Sequence, residues 1–280
     1  MPATTRQWTG DAVQGKLSSG WWPARAVALA AVLVLAAAPA GAAAPDYAPL
    51  EEALLQNVRD GYVDYDGLAA SPQFARFIDG LATTAIPADH DAALAHYLNA
   101  YNALAIRGIL QGESPASAAG RRRFFDSRKF TLDGRAVTLG EIGQRLRALG
   151  DPRAWFAMSC AALSCPRLAS HAYQPATLDA QLDAAVRGFV NDITRNRLDI
   201  AQKTAFLSAL FDWHRADFTA AAGGVSAWLE RYLADPASRA ALREGWLELR
   251  YLDFDWDLNG RYARGTADPA PGTCGAATPC

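Results

Sequence analysis

Residues 155–168 read WFAMSCAALSCPRL, and the reading of this stretch decides the fold class. Trp155-Phe156-Ala157-Met158 is a short apolar run with turn signals on both sides. A run of this length suits a buried strand better than the heart of a helix. The strand then ends at Cys160, and Cys165-Pro166-Arg167 lies in the loop behind it. Strand ends are places where sites tend to be built, because a rigid scaffold positions the loop. Two other extended pieces, 129–138 and 247–258, lie far away in sequence and are expected to meet 154–160 in one small sheet. Helical patterns outnumber strands, so the expected fold is α+β: a helix-rich single domain around a small, mainly antiparallel sheet.

Upstream of this stretch, Phe130-Thr131-Leu132 and Ala136-Val137-Thr138 flank Asp133-Gly134. That pair accepts the positive φ of a tight primed turn, so a hairpin is expected. Thr138 and Glu141 form a capping box for a helix carrying Ile142, Leu146 and Leu149. The longest helix is expected at 91–110, with Leu94, Leu98, Tyr101, Ala105 and Gly108 on one face. His96, Asn99 and Asn102 make a polar stripe beside it. Asn is mildly unfavourable inside a helix. Either these amides bond buried backbone of a neighbouring element, or they line a cleft. Ser71-Pro72 reads as a helix start, and Leu50, Leu54, Leu55 and Val58 give a short amphipathic helix before it.

Downstream, Leu178, Leu182, Val186, Phe189, Val190 and Ile193 keep a helical period, and Leu198-Asp199-Ile200 suggests a strand. Phe206, Leu207, Leu210 and Phe211 read as the start of another helix that runs into Trp213 and His214. Gly223-Gly224 breaks it, and Val225 to Leu233 forms the next, ended by Asp235-Pro236. Leu247, Leu249 and Tyr251 alternate with polar residues; after one slip Phe254, Trp256 and Leu258 do so again. That pattern is a strand with a bulge at Leu252-Asp253. From Asn259 the chain is rich in Gly, Ala, Pro and Thr and is expected to be disordered unless a Cys274–Cys280 disulfide ties it.

The N-terminal part reads differently. Ala26 to Ala38 is an apolar run preceded by Arg25 and followed by Pro39-Ala40-Gly41-Ala42. A basic flank, a short apolar run and small residues mark a secretory signal, and the run is too short for a comfortable membrane span. The expected organisation is a signal peptide over 1–44, one domain over 45–259 and a flexible C-terminal tail over 260–280. The mature part would keep about 235 residues, enough for one large domain. It would be periplasmic or secreted, with no stable transmembrane segment. The formal net charge is −2, which leaves no basic excess for nucleic acid. Arg121-Arg122-Arg123 reads as a solvated run. Four Cys in an exported chain permit disulfides, and the sequence neighbours, Cys160–Cys165 and Cys274–Cys280, are the favoured pairing.

Four blocks of sequence resemble the DUF547 family, a set of domains of unknown function. They are Val63-Asp64-Tyr65 with Gly67-Leu68; Tyr97-Leu98-Asn99-Ala100-Tyr101-Asn102-Ala103-Leu104; Asp151-Pro152-Arg153 through Ser159-Cys160 to Cys165-Pro166-Arg167-Leu168; and Leu210-Phe211-Asp212-Trp213 with Tyr251 to Asn259. The resemblance implies no settled activity, although relatives joined to glutaredoxin-like domains hint at thiol chemistry. The chain departs from the family pattern at Trp155, where His is frequent, and at Ser159, where Asn is. Ile142-Gly143-Gln144-Arg145 lacks the acidic residue expected after Ile.

The residues leave three readings for Cys160 and Cys165: a structural pair, a redox pair whose C-x4-C spacing differs from thioredoxin-like sites, or a nucleophile of papain or transglutaminase type. The last needs a His to generate the thiolate. Four His exist: His90 and His171 in loops, His96 on the Asn-bearing helix, and His214 among core aromatics. Asp253, Asp255 and Asp257 share one face, but their expected role is solvated surface; no metal site and no cofactor is expected. The first-ranked reading is a cell-envelope binding or assembly module for an unknown small molecule or envelope protein. Asn99, Asn102, Arg153, Arg167 and the Cys160–Cys165 loop would supply its cleft. The alternative is a cysteine-dependent hydrolase or transferase, or a thiol-redox enzyme, using Cys160 or Cys165.

Overall fold

A computed structural model describes residues 44–263. All but the last residue of the signal peptide expected over 1–44, and the Cys274–Cys280 pairing, lie outside the described residues. The fold is α+β, but its strands do not meet in one sheet. β1 (Val58–Arg59) and β2 (Tyr62–Asp64) are antiparallel. β3 (Phe130–Leu132) and β4 (Arg135–Val137) form the expected hairpin, with Asp133 and Gly134 both at positive φ. β5 (Arg197–Asp199) pairs antiparallel with β6 (Thr204–Ser208), which pairs parallel with β7 (Glu248–Leu252). β8 (Gly260–Arg261) adds to β2 in parallel. Three small sheets, two of them mixed, replace the single, mainly antiparallel one.

The opening stretch is the main correction. Pro152–Phe156 is a 3₁₀ helix, capped by the Asp151 carboxylate on the Arg153 N–H. Beyond it, the Ala157 carbonyl and the Ser159 N–H bond the Asn102 side chain instead of a neighbouring strand. Backbone groups satisfied by a side chain have no need of a ladder. Of the helix expected from Phe206, only Phe206 and Leu207 lie elsewhere, in β6, a central strand buried on both faces; helix begins at Leu210, as Leu210–Trp213 and then Arg215–Ala222, and stops before Gly223. The helix expected to run from Val225 to Asp235-Pro236 already stops at Glu230, and Asp235-Pro236 instead starts another, Pro236–Glu244, with the Asp235 side chain accepting from Ala237 and Ser238. β7 stops at Leu252, so no bulged strand continues to Leu258. The last described residues do not leave the fold. Gly260 fits β8 because any Cβ there would meet the Val63 carbonyl oxygen at 2.1 Å.

Two apolar clusters hold these elements. The first surrounds the helix His90–Leu110, opened by the Asp89 side chain, and includes Tyr65, Phe74, Leu98, Leu139 and Leu146. The second gathers Phe156, Phe189, Phe211, Phe218 and Trp228. Phe156 stacks on Trp228 at 5.0 Å, and Phe218 lies 4.8 Å from Trp228 between ring centroids. Buried aromatics of this kind typically cost about 3–5 kcal/mol when cut to Ala. The 3₁₀ turn is the joint between the clusters: Phe156 belongs to the second, Ala157 and Met158 to the first, and Trp155 touches both. Among the described residues no helix is long and apolar enough to cross a membrane.

Candidate functional site

The Cys loop follows directly from the joint. Cys160 and Cys165 are disulfide-bonded, with Cα atoms 5.6 Å apart. Ala161 turns the loop at φ 61, a left-handed conformation that costs a side-chain-bearing residue roughly 1 kcal/mol. Backbone from the far end of the domain fixes the loop. Leu163 and Ser164 donate N–H bonds to the Asp257 and Asp255 carbonyls, and Asn259 donates its own to Ala161. The Ser164 hydroxyl accepts from the Asp255 N–H. Asn259 also accepts from the Tyr65 hydroxyl at 2.7 Å and donates to the Ser159 hydroxyl, so the N- and C-terminal segments meet beneath the loop.

Two cavities flank the loop. Cys160, half-buried, lines a groove of about 410 Å³ whose walls are mainly aromatic and apolar. Trp155, Trp213, Trp256, Phe125 and Tyr101 line it, with Gln144, Arg147 and His214 as its polar groups. Trp213 is 51 % exposed and lies nearly parallel to Trp256, centroids 6.0 Å apart. Arg121 covers the Trp256 ring at 4.6 Å, so one end of the basic run packs on an aromatic face. Trp155 stacks on His214 at 3.6 Å, and its indole N–H donates to Asp217 at 3.1 Å. Arg147 donates to the other Asp217 oxygen at 2.8 Å. Burial lowers the His214 pKa to about 4 in spite of Asp217, so its ring is neutral at pH 7.

On the other side a cavity of about 350 Å³ is lined by Arg167, His171, Tyr173, Gln181, Asp192 and Arg195. Its charges answer one another. Asp192, only 8 % exposed in its side chain, accepts from both Arg167 and Arg195. Burial works to raise its pKa, but bonds from the Thr194 side chain and N–H and from Arg167 prevail and hold it below the usual value. Arg167 also donates to the Asp60 carbonyl and crosses Gly61, where a Cβ would come within 2.5 Å of its own Cβ.

The expected site residues therefore separate. Arg167 and both Cys border cavities. Asn99 and Asn102 are buried, and each clamps backbone through both ends of its amide. Asn99 holds the Tyr173 N–H and C=O at 2.8 Å each; Asn102 holds Ser159 N–H at 2.8 Å and Ala157 C=O at 2.9 Å. Arg153 is spent on Asp151, Asp179 and Asp183, which tie the 3₁₀ turn to the helix Leu178–Val190 and raise its pKa against the cost of burial. His96 bonds the Tyr47 hydroxyl at 3.2 Å, its Nε2 has no partner, and burial lowers its pKa to about 4. Sequence reasoning did not assign the groove to Trp213, Trp256, Phe125, Gln144 or Arg147. The available signal was the alternation of aromatic and Asp residues over 253–257, which marks an aromatic face at the surface. Among the described residues no group of three or more His, Cys, Asp or Glu is placed to hold a metal ion.

Comparison with known proteins adds one result. No curated protein and no solved structure matches the chain. A family model does, over residues 87–190, a span that holds both Asn clamps, the 3₁₀ joint and the disulfide loop but ends before Trp213, His214 and Trp256. Over residues 87–190 the chain is similar to DUF547, described as a protein of unknown function.

Proposed function

We propose that this chain is an exported, cell-envelope binding module whose ligand seats in the groove between Trp155, Trp213 and Cys160. The groove itself carries the reading. Its volume of about 410 Å³, its aromatic walls and its few converging polar groups have the form of a small-molecule site. The ligand class it suits is a largely apolar or aromatic small molecule with a polar edge toward Gln144 and Arg147. Asn99, Asn102 and Arg153 serve this site indirectly, by fixing the segments on either side of it.

A cysteine-dependent hydrolase or transferase draws support from Cys160 and His214 lining one groove. Two observations weigh against it. Cys160 is in a disulfide and offers no thiolate, and His214 is held neutral with its pKa near 4, far below an effective base at pH 7.

The test uses a hydrophobic fluorescent probe, anilinonaphthalene sulfonate, titrated into folded protein. One saturable site is expected, with Trp213→Ala weakening it at least tenfold and Arg167→Ala leaving it unchanged. Equal loss in the two variants, or no saturable binding, sinks the groove as ligand site. Intact mass of protein recovered from the envelope fraction tests export: a chain beginning near Ala42–Ala44 is expected.

A further inference from the structure

We propose that the Cys160–Cys165 disulfide is a directional thiol-exchange site, in which a thiol bound in the aromatic groove attacks Cys160 and Cys165 leaves. The inference builds on the groove being the ligand site, and it names the chemistry of one class of ligand: organic thiols with an aromatic or apolar body.

The two sulfurs stand in unlike surroundings. Cys160 is half-buried and lines the groove. Cys165 is 1 % exposed. It borders a smaller cavity of about 180 Å³ and does not line the groove. Thiol–disulfide exchange depends on which sulfur can be reached and on how well the departing sulfur carries negative charge. Access selects Cys160. The Ala162 N–H, 3.2 Å from the Cys165 sulfur, stands ready to support the departing thiolate. Arg195 adds positive charge on the same side by donating to the carbonyls of Cys165 and Leu163.

The loop does not rely on the disulfide to keep its place. The bonds that join Ala161, Leu163 and Ser164 to Asn259, Asp257 and Asp255 involve neither sulfur. Exchange can therefore proceed on the folded protein.

In the first step, the incoming thiolate forms a bond to the Cys160 sulfur as the Cys160–Cys165 bond breaks, and the electron pair of that bond leaves on Cys165. In the second, another thiolate attacks the substrate sulfur of the mixed disulfide and Cys160 departs. Two substrate thiols are oxidised to one disulfide, the protein disulfide is reduced to two thiols, and the two substrate protons end on Cys160 and Cys165. One disulfide is consumed per substrate pair.

The experiment treats the oxidised full chain with limiting benzyl mercaptan or, separately, glutathione at matched thiolate concentration. Acid quenching, alkylation with N-ethylmaleimide and fragment-ion mass spectrometry then locate the adduct and the freed thiol. The expected result is a mixed disulfide on Cys160 with Cys165 alkylated, in at least tenfold excess over the reverse. Adducts on Cys165, equal adducts on both, or no adduct until denaturant is added would overturn the proposal. The groove reading is scored separately: benzyl mercaptan should react faster than glutathione, and Trp213→Ala should reduce that preference at least threefold. Selectivity for Cys160 without that aromatic preference supports the exchange site and removes the groove as the binding site.

Discussion

On one side of the Cys loop, Trp213, Trp256 and the Trp155–His214 stack present ring faces to an open groove with few charges. On the other, Arg167, Arg195 and Asp192 surround a cavity of similar size but bond one another. Size alone does not separate the two. What separates them is how much bonding capacity is left over. Charges already paired at close range gain little from a ligand and lose their partners if displaced, whereas ring surface left open to solvent, as on Trp213, still gains from a molecule that covers it. The helix His90–Leu110 serves both sides through two amides three residues apart: Asn102 holds the segment leading to Cys160, and Asn99 holds Tyr173.

The largest break in this comparison comes from those amides. Asn102→Ala strands a buried carbonyl and a buried N–H and is expected to lower stability by about 3 kcal/mol, read from urea unfolding. Asn99→Ala should cost about the same. Only Asn102→Ala should change the rate at which Cys160 reacts with thiols under native conditions, because only that clamp fixes the groove side. Equal effects of both variants on that rate would erase the distinction between the two sides.

Acid sharpens the contrast at somewhat smaller size. The unfolded chain protonates His214 near pH 6.5, while the folded protein resists until about pH 4. The unfolded state therefore binds more protons between these values, and stability present above pH 6.5 is lost as the pH falls toward 4. His214→Gln should remove on the order of 2 kcal/mol of that loss, seen as a flatter dependence of unfolding free energy between pH 7 and 4. His96 behaves alike and continues to contribute in the variant. Asp192, with its lowered pKa, keeps its contribution through this window and loses it only below the ordinary carboxylate range. A profile unchanged by His214→Gln would contradict the buried, neutral ring.

The smallest effect belongs to Arg167. Its side chain is 53 % exposed, and exposed ion pairs contribute about 0.2–1 kcal/mol. Arg167→Ala should therefore shift unfolding by less than about 1 kcal/mol and leave probe binding in the groove intact.

Local features of the fold were legible in the sequence. The Asp133-Gly134 turn, the Ser71 cap and the Thr138–Glu141 box depend on residues within four positions of one another, and all form. The strand β6 was not legible. Phe206 and Leu207 fall in the helical period of Leu210 and Phe211, which do start a helix, and a strand covered on both faces has no alternation to give it away. The segment that leaves the 3₁₀ joint was misread for another reason: its backbone is satisfied not by a strand but by Asn102, 55 and 57 residues away. The candidate site was half legible. Cys160, Cys165 and the two Asn are gathered in motifs, but the groove walls come from segments at 125, 144–147, 155, 213 and 256, which only the fold brings together.

Asn259 carries one further consequence, for the order in which the chain is completed. Its bond to Tyr65 spans 194 residues, and contacts so distant form late because loop closure must come first. In a chain made from its N-terminus onward, both cysteines emerge well before the segment that seats them. Oxidation between partners only five positions apart can therefore precede docking. A nascent chain that ends before Asp255 would hold the helices and the disulfide without a seated loop, and the groove would take shape only when the segment from Asp255 to Asn259 is added.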